Sequence, residues 1–345
     1  MTSVFLTGAA LSLTECMCNG QEGADRDYHR IVILSDVHLP GNILQAKERV
    51  LQTVTSWKDV DRVVVIGDIV ATDGSADQLS FAKRFLSRLN HTLRVVGGNH
   101  DYMYPDSYPI NEETGHHLKE SSPEARKKKL ERFKETWGLK ELFYSEKIKN
   151  YLLVFLTPDD LISNHYTRMS DRQLEWLDRE LERNMELPTV IFFHGPLQGT
   201  YASRKILEAK TPDSYNAEPA GKIKEILLKN RQVFLWVAGH LHIGATNADF
   251  NSEINLYEEQ VRVIHHSDMD GNSVLSDRDI KARKHDTIWT NSLFLFQDRV
   301  VVKTYDHKQG LWLKNLERSI SIPTSGRSPD PIMPAFNAKN PYPNG

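Results

Sequence analysis

The sequence predicts an α/β fold (α+β under some schemes) with its chemistry gathered along one edge of the strands. Six apolar runs of strand length are rich in Val, Ile, Leu and Phe and show little alternation, as strands buried on both faces require. Helical patterns fill the gaps between most of these runs. Five of the six runs end in Asp, His or Asn.

The first run, Arg30–Leu34, opens into Ser35-Asp36-Val37-His38. A helical pattern over 43–57 leads to Arg62–Ile66, closed by Gly67-Asp68. A second, over 77–89, leads to Leu93–Val96 and then Gly98-Asn99-His100-Asp101. A third, over 122–136, precedes Tyr151–Leu156. The fourth, over 171–184, starts with a capping box, Ser170 at the N-cap and Gln173 three residues on, before Leu174, Leu177 and Leu181. Thr189–Phe193 ends at His194-Gly195-Pro196. After a pattern over 221–230, Val233–Ala238 ends at Gly239-His240-Leu241-His242. Thr287–Phe296 and Val300–Tyr305 flank Gln297-Asp298-Arg299 and read as a hairpin. This is more strand than one βαβ series supplies.

The ends read differently from the body, which spans 29–318. In residues 1–28, Val4–Leu13 is a short apolar stretch with no Lys or Arg before it, the first basic residue being Arg26. Glu15 before Cys16 and Met17 before Cys18 do not suit a lipoprotein signal. The leader is expected to be either disordered or a degenerate export signal. The confinement of both cysteines to it favours an exported, periplasmic protein over a cytoplasmic one. Residues 319–345 carry six prolines and no hydrophobic period, which predicts an extended tail. No apolar run reaches the roughly 20 residues of a membrane span. Two cysteines exclude a disulfide framework and a cysteine zinc site. With 43 Lys and Arg against 46 Asp and Glu, the net charge of −3 leaves no bulk positive field for nucleic acid.

Open α/β sheets place ligands at the carboxyl ends of their strands, so residues more than 200 positions apart converge there. Asp and His together suit borderline divalent metals such as Mn, Fe, Co, Ni or Zn. Seven such side chains are too many for one ion and fit two, which sit about 3.5–4 Å apart and share a ligand. Asp68, alone after its glycine, is the natural bridge. If the chain stays extended at Asp36-x-His38 and His240-x-His242, residues two apart point the same way and reach one pocket. Gly67, Gly98 and Gly239 remove side chains where backbone passes close to the ions. Each motif alone also serves as a turn. All five, in order and each after an apolar run, exceed what turn chemistry requires.

In that order, Asp36-x-His38, Gly67-Asp68, Gly98-Asn99-His100-Asp101, His194 and Gly239-His240-x-His242 resemble the motifs of the calcineurin-like metallophosphoesterase superfamily, over about residues 29–307. The resemblance implies a four-layer αββα sandwich with two mixed β-sheets and a dinuclear metal site at the strand carboxyl ends. It implies that Asp36, His38, Asp68 and His242 hold the first of two divalent ions (Mn, Fe, Zn or Co), and Asp68, Asn99, His194 and His240 the second. His100 would donate a proton to the leaving oxygen and Asp101 would orient it. In such a site two dications screen the anionic phosphoester and lower the pKa of a bridging water, whose hydroxide attacks phosphorus in line. A histidine, with a reference pKa near 6.5, can protonate the departing alkoxide.

The substrate is less legible. Segment 102–135 holds Tyr102, Tyr104, His116, His117 and the run Arg126–Lys129, and reads as either a lid or a solvated basic helix face. The long loop Leu197–Ala220 carries Tyr201, Arg204 and Lys205. Tyr102, Tyr201 and Arg204 are the candidate substrate contacts. His91, His265 and His266 lack motif context and are expected at the surface or as caps. A small phosphoester is the expected partner. Chain length, His194-Gly195-Pro196 and Gln173-Leu174-Glu175-Trp176-Leu177 look like the bacterial cyclic-nucleotide phosphodiesterase branch. A repair-type DNA nuclease would want a basic DNA-facing surface or a dimerising helical region, and the net charge of −3 offers it little support. A non-catalytic scaffold would show lost ligands, and none is lost. The sequence carries no signal of oligomeric state.

Overall fold

The computed structural model describes residues 26–106 and 121–323. Cys16, Cys18, His116 and His117, nearly all of the expected leader and most of the expected tail lie outside the described residues.

The strands form two large sheets. The first contains β1 (His29–Leu34), β2 (Arg62–Ile66) and β3 (Leu93–Val96), all parallel, with α1 (Leu44–Ser56) and α2 (Ala76–Leu86) as crossovers. The second contains β4 (Phe143–Ile148), β5 (Tyr151–Leu156), β6 (Thr189–Phe193), β7 (Val233–Ala238), β8 (Leu256–Tyr257) and β9 (Val261–His265), in the order β4-β5-β6-β7-β9-β8. Here α4 (Asp171–Arg183) joins β5 to β6, and α5 (Arg204–Leu207) and α6 (Ala220–Lys229) lie between β6 and β7, after α3 (Pro123–Trp137) has linked the two sheets. A small ribbon, β10 (Asn272–Ser273) with β11 (Arg283–Lys284), follows. The chain then returns to the first sheet as the expected hairpin, β12 (Trp289–Leu295) and β13 (Arg299–Asp306), with Leu295 opposite Val300. β14 (Leu311–Trp312) and β15 (Arg318–Ser321) both pair with β13. The sheet therefore continues past the boundary expected at residue 318.

The lack of alternation in the apolar runs has a direct cause. In β1, Ile31 and Ile33 face the second sheet, where they meet the cluster of Leu153, Phe155, Val190 and Phe192. Val32 and Leu34 face outward to Val50 and Val54 of α1 and Leu79 of α2. In β5, Leu152, Val154 and Leu156 face Leu174, Leu177 and Leu181 of α4 and Ile223 of α6. Each face of each sheet has its own apolar cover, and the layers are helix, sheet, sheet, helix. Full burial of each such side chain contributes about 1.5–3 kcal/mol.

Local signals were mostly obeyed, with instructive exceptions. Ser170 caps α4 by accepting the Gln173 N–H at 3.2 Å. The reciprocal half of the box is absent: the Gln173 side chain turns inward to the Thr157 carbonyl, and Asp159 accepts the Ser170 N–H instead. The basic run at 126–129 is not a uniformly solvated face. Arg126 is buried on the Ser121 and Ser163 carbonyls, and Lys129 is buried on the Asp73 and Tyr104 carbonyls. His91 bonds the Val54 carbonyl at the end of α1, one of its two expected places. His265 and His266 are buried, not at the surface.

That burial gives a pH prediction. Burial lowers the pKa of His265 to about 4 and of His266 and His307 to about 3. Each is neutral in both states above the unfolded value of about 6.5, so nothing is lost there. As pH falls below 6.5, the unfolded chain takes up protons that the folded chain refuses, and stability declines until the folded pKa is reached. By pH 5 each imidazole costs about 2 kcal/mol. The melting temperature of chelated protein is expected to fall on the order of 10 °C between pH 7 and pH 5. A flat profile over that range would contradict the burial of these rings.

Candidate metal centre

The five polar strand ends meet in the seam between the sheets: β1, β2 and β3 from one, β6 and β7 from the other. Backbone bonds extend the β1–β2 pairing beyond the strands, from the Asp36 N–H to the Gly67 carbonyl (3.2 Å) and from the His38 N–H to the Asp68 carbonyl (2.8 Å). Two bonds then cross between sheets. His194, at the end of β6, donates through Nδ1 to the Ile66 carbonyl of β2 (2.9 Å). The His240 N–H, after β7, binds both Asp36 carboxylate oxygens at 3.1 Å.

The alternating motifs are not extended strand ends, as the spacing suggested. Asp36, His38, Asp68, His240 and His242 all have positive φ, between 46° and 66°. Asp and His enter this left-handed region more easily than most residues, yet five such residues in one place store strain of a kind that clusters at functional sites. The paired residues reach one pocket because both backbones turn left-handed. Three glycines permit the crowding: a Cβ on Gly67 would collide with His194 Nδ1, one on Gly98 with Asp68 Oδ1, and one on Gly239 with Asp36 Oδ2.

Ligand atoms of Asp36, His38, Asp68 and His242 lie within 4.8 Å of one another, and so do those of Asp68, His194 and His240. Asp68 belongs to both groups. In the first, His242 Nε2 is 3.2 Å from Asp36 Oδ1 and 3.3 Å from His38 Nε2. In the second, His194 Nε2 is 3.3 Å from Asp68 Oδ2. Asn99 heads the turn Asn99–Asp101, and the next residue's N–H, from His100, binds Asp68 Oδ1 at 2.9 Å.

The donors are oriented for cations. Carbonyls can only accept, so the bonds of His194 Nδ1 to Ile66 and of His242 Nδ1 to Asn272 (3.0 Å) place the protons there and aim both Nε2 atoms inward. Asn99 Nδ2 donates to the Tyr104 hydroxyl at 2.9 Å, which leaves its Oδ1 inward. Asn99 Oδ1, His194 Nε2 and His240 Nε2 are buried without hydrogen-bond partners among the described residues. Such orphaned atoms are costly unless something coordinates them, and one amide oxygen and two imidazole nitrogens beside a carboxylate make a donor set that fits a divalent cation. Burial keeps His38 and His240 well below the ordinary imidazole value. Burial also opposes charge on His194 and His242, but Asp68 and Asp36 outweigh it and raise both to about 9. A cation entering here displaces those protons.

Supporting residues lie around the centre. Lys47 is buried and holds the turn after β1 through the His38 carbonyl (2.9 Å) and Asp270 (2.6 Å). Asp268, also buried, accepts from the Asp270 and Asn272 N–H groups, each at 2.8 Å, and from Ser273. These had no motif in the sequence. Asp101 does not orient His100. Its carboxylate accepts from the Gly98, Ile69 and Val70 N–H groups, and burial and then Asp68 push its pKa up to about 7. The ring of His100 is held instead through Nδ1 by the Ala71 carbonyl at 2.9 Å.

Of the three candidate substrate contacts, two are buried and one is exposed. Tyr102 is fully buried against Met103, Tyr104 and Leu130. Tyr201 is buried with its hydroxyl on Asn216 (3.0 Å). Arg204 is exposed and pairs with Glu208 one turn on. The Tyr104 ring is 5.2 Å from that of His100. Burial lowers the pKa of Lys205 against the opposing pull of Asp268 and Asp36.

A doubled carboxylate–histidine cluster where two sheets of an αββα sandwich converge is the centre of a metal-dependent phosphoesterase. The chain belongs to the calcineurin-like phosphoesterase family, whose model matches residues 29–244. Its fold is shared with a dimetal phosphatase from Danio rerio (18% identity, TM-score 0.51, covering 83% of this chain and 98% of that one). It is also shared with purple acid phosphatase PPD1 from yellow lupin (16%, 0.52, covering 82% and 52%). A third such structure is GAP50, the anchor in the inner membrane complex of Plasmodium (14%, 0.52, covering 86% and 90%). No curated protein matches the sequence. No helix among the described residues is long and apolar enough to cross a membrane.

Proposed function

We propose that the protein hydrolyses a small phosphoester at two divalent ions, one held by Asp36, His38, Asp68 and His242 and the other by Asp68, Asn99, His194 and His240. The observation that carries this reading is the shared Asp68 carboxylate flanked by three orphaned buried donors. When bound, the ions screen the phosphate charge and supply a hydroxide nucleophile near neutral pH. The chain supplies the rest. The Ile66 and Asn272 carbonyls hold His194 and His242 in one tautomer. His100, with Nε2 3.9 Å from Asp68 Oδ2, delivers a proton to the leaving oxygen. A phosphodiester, a cyclic nucleotide among them, is the finer reading, supported by the resemblance of the His194-Gly195-Pro196 and Gln173–Leu177 segments to that branch.

The test is hydrolysis of bis-p-nitrophenyl phosphate, p-nitrophenyl phosphate and cyclic AMP after chelation and after adding Mn, Fe, Zn or Co singly. Activity is expected to vanish on chelation and return with at least one metal, at close to two ions per chain. The substrate hydrolysed fastest assigns diester or monoester. Undiminished turnover in chelator would overturn the reading. Two bound ions with no turnover would make the protein a scaffold.

A further inference from the structure

We propose that the helix-side face of the first sheet, at β12, β13 and β14, is a docking surface for this chain's own proline-rich segment, residues 329–334, which lies outside the described residues. The inference stands apart from the phosphoesterase reading, because no residue of this face belongs to the metal centre.

Strand register gathers aromatic side chains on this face. Arg30 lies opposite Phe294, Phe294 opposite Val301, and Tyr305 opposite Trp312. Alternation along each strand sets Arg30, Phe294, Tyr305 and Trp312 on the same side as Val32 and Leu34, the side that α1 and α2 cover. That cover stops short: the apolar cluster beneath the two helices takes in no residue of β12 or β13. Trp57, the residue after α1, reaches the uncovered part. Its ring stacks on Trp312 at 5.5 Å and 22°, and meets Tyr305 edge to face at 5.2 Å. The buried Arg30 guanidinium fixes the group, 4.0 Å from the Trp57 centroid and 5.1 Å from those of Trp312 and Phe294. Asp59 at 2.8 Å and the Ser292 hydroxyl at 3.3 Å hold Arg30 in turn. Trp57, Tyr305 and Trp312 remain partly exposed, and Leu311 beside them is 42% exposed. Neither indole N–H of Trp57 and Trp312 has a hydrogen-bond partner among the described residues.

The occupant is named by where the chain goes. β15 pairs with β13 through Ser321 opposite Arg299, and the Ile322 N–H binds the Asp298 carbonyl at 3.0 Å. The described chain therefore stops at Pro323 beside the β12–β13 turn. The rings stand farther along the same strand, from Arg299 to Tyr305, a distance of about 20 Å. The stretch from Pro323 to Pro331 can bridge about 25 Å in the polyproline II form. It leads directly to Pro329, Pro331 and Pro334, and the spacing of the last two is the three-residue period of that helix. Such a backbone makes no internal hydrogen bonds, so its carbonyls are free to accept from indole N–H groups while its proline rings lie on aromatic faces. The tether adds an effective concentration in the mM range, so a contact too weak to form between separate molecules forms within one chain. A preset aromatic surface and a stiff ligand both lower the ordering cost.

Photo-crosslinking in the full chain tests the contact. With Met333→p-benzoylphenylalanine, light is expected to join the segment to the peptides carrying Trp57 or Tyr305 and Trp312, as read by mass spectrometry of the digest. Trp312→Ala should cut that product by about fivefold or more. Pro331→Ala combined with Pro334→Ala should do the same, and this second variant leaves every element of the two sheets untouched, so it decides the matter if circular dichroism shows Trp312→Ala to be unfolded. Products that map elsewhere, or a yield that the proline variant leaves unchanged, overturn the proposal. Mixing isotopically heavy and light chains separates the other occupants. Products joining heavy to light chains would give the face to a second copy. The same probe at Leu11, if it reaches these rings while the probe at Met333 does not, would give it to the leader. Either result overturns the assignment to residues 329–334.

Discussion

Asp68→Ala is expected to lose both ions and all measurable turnover in one step. Asp68 is the residue common to the two ligand groups. Its Oδ2 faces His194 Nε2 at 3.3 Å and both His38 Nε2 and His100 Nε2 at 3.9 Å, and its Oδ1 binds the His100 N–H. These imidazoles, with burial working against it, hold the Asp68 carboxyl well below the usual carboxylate range. Removing it leaves a cluster of buried rings with one carboxylate, Asp36, to balance two dications. The loss in kcat/KM should therefore exceed the roughly 10–100-fold that follows loss of a residue merely supporting a ligand. Asp36→Ala is the control. It belongs to one group only, so elemental analysis should find close to one ion per chain in that variant and close to none in Asp68→Ala. Circular dichroism establishes that both are folded. A folded Asp68→Ala that keeps two ions would show that the groups do not share a ligand.

The centre was legible in the sequence because each part of it is local. A strand followed within one to three residues by Asp, His or Asn is visible as an apolar run and a polar stop, and the five stops needed no knowledge of which sheet each strand joins. The strands β4 and β9 were missed for the opposite reason. β4 is an edge strand reading Phe-Tyr-Ser-Glu-Lys-Ile, whose Glu146 pairs with Arg62 and Arg94 of the other sheet. β9 carries a buried Arg262 as its second residue. Backbone conformation was misjudged where function overrides propensity: nothing in Asp36-Val37-His38 announces a φ of 48° followed two residues later by one of 47°. The meeting of Tyr166 with Tyr215 was illegible because they lie about 50 residues apart and each alone is an ordinary tyrosine. Their backbone pairing makes them neighbours. Tyr102 and Tyr104 are both buried after the turn Asn99–Asp101, and only the second packs its ring against His100.

The second large effect should depend on the leaving group. His100→Ala is expected to lower kcat by about 10²–10⁴-fold on esters of poor leaving groups and much less on p-nitrophenyl esters, whose departing oxygen hardly needs a proton. The geometry separates this residue from the ligands around it. Its Nδ1 is fixed by the Ala71 carbonyl, so the Nε2 end is the one that can exchange a proton over the centre. Its side chain is 22% exposed, against 8% for His38 and none for His194, so substrate and solvent can reach it. Its other contribution, the backbone N–H bound to Asp68 Oδ1, survives replacement by alanine. The variant should therefore retain close to two ions and its fold while losing the proton donor. Comparing kcat for an alkyl and a p-nitrophenyl ester, with metal content measured alongside, checks this directly. Equal losses on both substrates accompanied by loss of metal would make His100 a ligand, and the proton would then have to come from solvent or from another residue at the centre.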